Sequence, residues 1–207
     1  MFNFKKPLQF FKAFQHMVFP PICLVCGEMS PVEYCLCISC AQNFLLSSSI
    51  TYDLSPSAIF SYCFDYEEPL ASLVSSYHSQ QQASIAKGFA AWIWLRHLHL
   101  KWALPDVIVT IPNDFSKEIL LAKKHQYKIA KSLGKMMQVP VLRIIKWQMP
   151  LPRAKKHFLK IFPKGCNKRV LLIGDVFLGD VVMQITDEII NIMNPSHLQV
   201  LGLCCQE

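Results

Sequence analysis

The chain has 207 residues, of which 52% are hydrophobic and 17% charged, with a formal net charge of +7. That length allows one domain plus a small module. No apolar stretch reaches the roughly 18 residues a membrane-crossing helix requires, since the most apolar helical stretch, Gly88 to Leu95, runs directly into Arg96, His97 and His99.

The charge is segregated. Between Lys117 and Arg169 fifteen basic residues stand against a single acid, Glu118, while the rest of the chain is acidic on balance. Such a distribution attracts polyanions through phosphate contacts and counterion release. Met1 to Phe19 is rich in Phe but broken by Lys5, Lys6, Gln9, Lys12 and Gln15. A secretory h-region would be continuous and followed by a small-residue cleavage site. Phe4, Leu8, Phe11 and Phe14 fall near helical spacing instead, so residues 1–20 read as an amphipathic helix that ends at Pro20-Pro21 and docks on its own domain, with membrane-surface or partner binding as the alternative. With no export signal and no span, the expected location is the cytoplasm.

Residues 21–45 form a cysteine-rich module, the Ser-rich stretch Leu46 to Pro56 reads as a linker, and 57–207 as the main domain. Within it, Ala58 to Phe64 is strand-like, and Glu67 to Ser76 and Ala83 to Trp102 are helical. Then strands and helices alternate: strand Asp106 to Ile111, helix Ser116 to Gln138, strand Val139 to Ile145. A long basic connection, Lys146 to Lys168, leads to strand Arg169 to Ile173, helix Val181 to Met193 and strand Leu198 to Cys204. This alternation predicts an α/β fold, a parallel sheet with helices on both faces.

Cys23-Leu-Val-Cys26 and Cys37-Ile-Ser-Cys40 are two C-x2-C knuckles ten residues apart. Each lets two thiolates point at one centre from a tight turn, and two turns complete a tetrahedron, which predicts structural zinc with no open coordination position. Gly27 suits the turn because positive φ costs glycine little. A disulfide pair, unrelated buried thiols and an Fe–S cluster are the other readings; disulfides fit poorly without export. Cys35 is a spare that competes with Cys37, and Cys204 and Cys205 read as packing residues in an apolar strand.

Val170 to Ile173 runs into Gly174-Asp175-Val-Phe-Leu-Gly179-Asp180, read as a loop before the next helix. Ligands of open α/β sheets bind at such carboxyl ends of strands. Asp175 is placed to accept bonds from sugar hydroxyls, and loop amides with the helix N-terminus suit a phosphate; the alternative is a helix cap.

Lys124, Lys128, Lys131 and Lys135 recur at i, i+4, i+7 and i+11 and share one helix face, while Ile129, Ala130, Leu133 and Met136 are expected to pack on the sheet. Arg153, Lys155, Lys156 and Lys160 add charge around Phe158. A basic groove with bases stacked on Phe158 or Trp147 suits single-stranded nucleic acid. The plainer reading is a solvated lysine face.

Phe19-Pro-Pro-Ile-Cys-Leu-Val-Cys-Gly27 followed by Leu36-Cys-Ile-Ser-Cys40 resembles the opening zinc ribbon of the ComF family. Tyr66-Glu-Glu-Pro-Leu70 resembles that family's Y-x-G-P-L helix start, Pro105 to Pro112 its second conserved strand, and Val170 to Asp175 its phosphoribosyl-pyrophosphate (PRPP) motif. The resemblance implies a type I phosphoribosyltransferase-like sheet behind a small zinc ribbon. It also implies a role in natural competence, handling incoming single-stranded DNA beside a helicase or recombination partner. The chain departs from the pattern where chemistry is done. The paired acids become Gly174 and Asp175, and the phosphate-binding hydroxyls become Phe177, Leu178 and Gly179. Asp180 stands where phosphate charge would sit, and like charges at close range repel. Asp175 and Gly179 therefore mark a degenerate site, and the reading leans away from catalysis. A working phosphoribosyltransferase binding PRPP and Mg²⁺ is the first alternative; a zinc-ribbon interaction scaffold is the second.

Overall fold

The structure, a computed structural model, describes residues 22–23, 26–30, 37–40, 42, 51–68, 70–80, 83–110, 122–143 and 168–206. Its elements are β1 (Thr51–Ser55), β2 (Ala58–Asp65), α1 (Leu70–Gln80), α2 (Ala83–His99), β3 (Val107–Thr110), α3 (Ala122–Met137), β4 (Val141–Arg143), β5 (Arg169–Leu178), α4 (Gly179–Met193) and β6 (His197–Gln206). Among the described residues no helix is long and apolar enough to cross a membrane. The expected helix of residues 1–20 lies outside them.

Six strands form one sheet in the order β1-β2-β6-β5-β3-β4. All pairings are parallel except β1 with β2. The inner strands carry short continuous apolar runs, Val107–Val109 in β3 and Val170–Ile173 in β5, because both faces are covered. Ile108, Leu171, Ile173, Leu201 and Leu203 pack with α1, α2 and α3 on one face. Val107, Val109, Val170, Leu172, Leu198 and Val200 pack with Val182, Ile185, Ile189 and Met193 of α4 on the other. The α/β alternation and the helices on both faces thus follow the sequence expectation. Cys204 and Cys205 are buried on opposite faces, as packing residues.

The Ser-rich stretch is not all linker. Thr51–Ser55 is an antiparallel edge strand ahead of the expected boundary at residue 57, closed against β2 by the pair Ser55↔Ala58. An edge strand needs no apolar alternation, and Tyr52 stacks on Phe60 with ring centroids 5.8 Å apart.

On α3 the core stripe is Ile129, Ala130, Leu133 and Met137, with Met136 40% exposed. The i, i+4, i+8 rule from Ile129 selects Met137, so the expectation for Met136 is corrected. The helix is pressed so close to β4 that a Cβ at Gly134 would lie 2.5 Å from Val141 Cγ2 and 2.7 Å from the Val139 carbonyl oxygen. Alanine favours helix by about 1 kcal/mol over glycine, but a clash with backbone cannot be relieved by a rotamer. Gly134→Ala is expected to destabilise the fold by about 1–3 kcal/mol, read by urea unfolding; a variant at least as stable as the parent would contradict this packing.

Arg96 and His97, which end the apolar stretch in the sequence, are buried in α2. Arg96 donates to Ser61 Oγ at 3.1 Å, and burial pulls its pKa down. His97 Nε2 meets Gln199 Oε1 at 3.2 Å, while Gln199 donates to the Ala103 carbonyl. Burial lowers the His97 pKa against the opposing bond from Gln199, so the ring is neutral and ties α2 to β6.

Candidate metal centre and the buried carboxylate

The first knuckle is a turn closed by backbone bonds. Gly27 N–H donates to the Cys23 carbonyl at 2.9 Å, Cys23 N–H to the Glu28 carbonyl at 2.7 Å, and Ile22 bridges Met29. Gly27 adopts the expected positive φ, 73°. In the second knuckle a helical turn carries Ile38 to Cys40, and the Cys40 amide points at Cys37 Sγ, 3.4 Å away.

The Sγ atoms of Cys23, Cys26, Cys37 and Cys40 all lie within 4.8 Å of one another. Cys26 and Cys37 are 3.6 Å apart, too far for a disulfide of about 2.05 Å, and none of the four cysteines is in a disulfide. The cluster is therefore placed to hold a metal ion. Burial pushes the Cys40 thiol up, and the sulfurs of Cys26, Cys37 and Cys23 add to this; a cation among them favours the thiolates. Cys23 and Cys37 are buried and belong to the same apolar cluster as Phe64, Leu70 and Val74, so the site is built into one end of the core. Cys35 lies outside the described residues.

Asp175 is buried on β5. Its Oδ2 receives His78 Nε2 of α1 at 2.7 Å. Its Oδ1 accepts from Gln126 Nε2 of α3 at 2.6 Å and from the Val176 amide at 3.0 Å. Burial raises the Asp175 carboxyl, but His78, Gln126 and the Val176 amide together outweigh it and hold the pKa below the usual range. The bond from Asp175 raises the His78 pKa against the desolvation that would lower it. The pair is an ion pair that draws α1, α3 and the sheet together. Both oxygens are engaged by protein donors.

The expected loop after Ile173 is absent. β5 continues to Leu178, pairing Val176, Phe177 and Leu178 with Cys204, Cys205 and Gln206, and α4 starts at Gly179. Phe177 explains this. Its ring sits edge-on to Phe60 at 5.5 Å and fills the space where a Cβ at Gly202 would fall 2.6 Å from Phe177 Cδ2. Up to Leu178 this backbone is part of the ladder with β6, and the helix N-terminus follows directly at Gly179. Gly179 and Asp180 open the helix; their side chains lie outside the described ones.

Lys128, Lys131 and Lys135 lie along one side of α3, with Lys131 and Lys135 exposed and Lys128 half-buried. Lys124 falls in the first turn of α3, its side chain outside the described ones. Trp147, Arg153, Lys155, Lys156, Phe158 and Lys160 also lie outside the described residues. Sequence reasoning missed His78 and the role of Gln126. The available signal was that Gln126 continues the core stripe Ile129, Leu133, Met137 by one step, which makes it a polar residue on a buried face. No family profile matches this chain, and no curated protein is found to match it.

Proposed function

We propose that this chain is a ComF-like accessory protein of DNA uptake, acting in the cytoplasm. It binds single-stranded DNA through the basic surface of α3 and the Arg153 to Lys160 segment. A structural zinc ion stabilises the ribbon, and the sheet is a phosphoribosyltransferase-like frame that has lost turnover. A competence helicase or a recombination protein is the partner class this role calls for. The observation that carries the reading is α3 itself: one face is buried on the sheet and the opposite one presents Lys128, Lys131 and Lys135. The engagement of both Asp175 oxygens by His78, Gln126 and Val176 supports the view that ribose hydroxyls are not what this carboxylate holds.

Replacing Lys124, Lys128, Lys131 and Lys135 with Gln retains good helix formers, so the fold is expected to survive. Log affinity for a single strand should fall linearly with log salt by ~0.7 per neutralised phosphate, and the quadruple variant should show weaker binding and a shallower slope. Equal binding by parent and variant, or no binding by either at low salt, would refute the DNA reading. Calorimetry with PRPP and Mg²⁺ alongside is expected to show no heat of binding; PRPP binding lost in Asp175→Asn would favour the phosphoribosyltransferase reading instead.

A further inference from the structure

α2 carries apolar residues on every side. A helix of that kind belongs in an interior, and Ile85, Phe89, Ala90 and Ile93 are indeed buried in the core. Its last turns are different. Leu95 and Leu98 stand 45% and 51% exposed one turn apart, and Leu104 in the connection to β3 is 47% exposed. Trp94 shares the helix face of Leu98 at i+4, and both Trp94 and Trp102 are half-buried. A single exposed leucine on a surface is ordinary, whereas leucines grouped beside two tryptophans are the pattern of a contact site.

The patch is held in place from below. Trp94 stacks on the buried His97 ring with centroids 5.7 Å apart, and Trp102 meets the same ring edge-on at 6.0 Å. His97 is tied to Gln199, which also donates to the Ala103 carbonyl. The helix ends in a turn at Lys101, whose φ of 53° is a left-handed conformation that glycine would take without strain. Side chains already fixed in this way lose little entropy when a partner docks, and Trp is among the residues enriched at binding hot spots. The surroundings are rich in cations. Trp94 to Pro105 contains no acidic residue, and His99 and Lys101 are exposed. The Gln199 bond places this end of α2 beside the starts of β5 and β6, where Arg169 and His197 stand. Asp106 at that edge is engaged by Arg169, through the amide at 2.8 Å and the guanidinium at 3.7 Å.

We propose that the C-terminal end of α2 is a docking surface for a partner protein that presents an amphipathic, acidic helical segment. Its apolar side chains cover Leu95, Leu98 and the two tryptophans, and its carboxylates meet His99 and Lys101. A second copy of this chain would set the same cations against one another, which costs affinity. Nucleic acid is held by stacking on rings, whereas the exposed apolar positions here are leucines and both tryptophan rings already lie against His97. The inference does not rest on the DNA reading, which uses α3.

Calorimetric titration of the full chain with a tryptophan-free helical peptide of about 15 residues, Leu and Phe on one face and Glu on the other, tests it beside the same peptide with Lys in place of Glu. The acidic peptide should bind, shift the tryptophan emission and weaken with salt, and the basic one should bind roughly tenfold more weakly or worse. Leu95→Ser combined with Leu98→Ser should leave the melting temperature unchanged, because both positions are exposed, and weaken the acidic peptide by about tenfold or more. Lys101→Asn, which suits the left-handed backbone, should make the salt dependence shallower. No binding of the acidic peptide, equal binding of the two peptides, or binding unchanged in the double variant overturns the proposal. So does oligo-dT affinity lost in the double variant, which would assign the surface to nucleic acid, or a dimer in sedimentation that the double variant abolishes, which would assign it to a second copy. Replacing the α3 lysines tests the DNA reading without touching Leu95 or Leu98, so the two readings fail separately.

Discussion

Cys37→Ser should strip the bound metal from the chain and lower its melting temperature sharply, the largest single effect expected for any substitution here. Metal binding by a four-thiolate site is folding free energy, with apparent values of about 10–16 kcal/mol in isolated zinc modules. Three remaining sulfurs leave an incomplete tetrahedron. The damage reaches inward because Cys23 and Cys37 are part of the buried cluster that includes Phe64, Leu70 and Val74. Cys26→Ser should also lose the metal, but Cys26 is exposed, so less packing goes with it. Cys63→Ser is the control: Cys63 is fully buried yet outside the four-sulfur cluster, and should keep the metal while losing some stability. Elemental analysis and thermal melting with and without chelator provide the readout. Protein purified without chelator that contains no metal, or a Cys37→Ser variant with the parent's metal content, would overturn the assignment.

His78→Ala should destabilise the fold by about 1–3 kcal/mol, because it leaves a buried carboxylate short of one charged donor. His78 is about one-third exposed in its side chain, and solvent screening keeps the figure below that of a fully buried pair. The linkage has a defined sign. The Asp175 pKa is depressed in the folded state, so its contribution is present above the ordinary value of 3.8 and is lost as pH falls through the folded value. The His78 pKa is raised, so its contribution is complete below 6.5 and is lost as pH rises through the folded value. Both operate fully between those limits. Urea unfolding should therefore show the parent more stable near pH 5.5 than near pH 9 by an amount that disappears in His78→Ala. In Asp175→Asn, NMR titration should return the His78 ring toward its ordinary range. A His78 titration unchanged by Asp175→Asn would mean that the pair is not coupled.

What could be read from residues alone was what burial on both faces writes into sequence. The runs Val107–Thr110 and Val170–Ile173 are continuous apolar strands, and the two C-x2-C pairs already hold the geometry that the sulfurs show. What stayed hidden depends on neighbours distant in sequence. Thr51–Ser55 forms a strand because β2 is there to pair with it, although Thr51, Tyr52 and Asp53 are exposed and only Leu54 packs against the core. β5 outruns Ile173 because Phe177 finds a slot beside Gly202, and no local pattern announces that slot. Arg96 and His97 look like the polar end of a helix, but Ser61 and Gln199 on the sheet accept them into the interior. His78 carries no motif, and its importance appears only when α1 is laid against Asp175.

The strand order has a consequence for how the protein is made. β6, the last strand in the sequence, lies between β2 and β5, and β1–β2 and β5–β3–β4 share no strand pairing without it. Everything from Thr51 to Met193 leaves the ribosome before the strand that joins the two halves. Until then β2 and β5 each expose an unpaired edge, the feature that invites edge-to-edge association. Sheet closure is thus a late, long-range event. Cleavage ahead of His197 would yield two half-sheets with nothing between them, not a shorter version of the same protein.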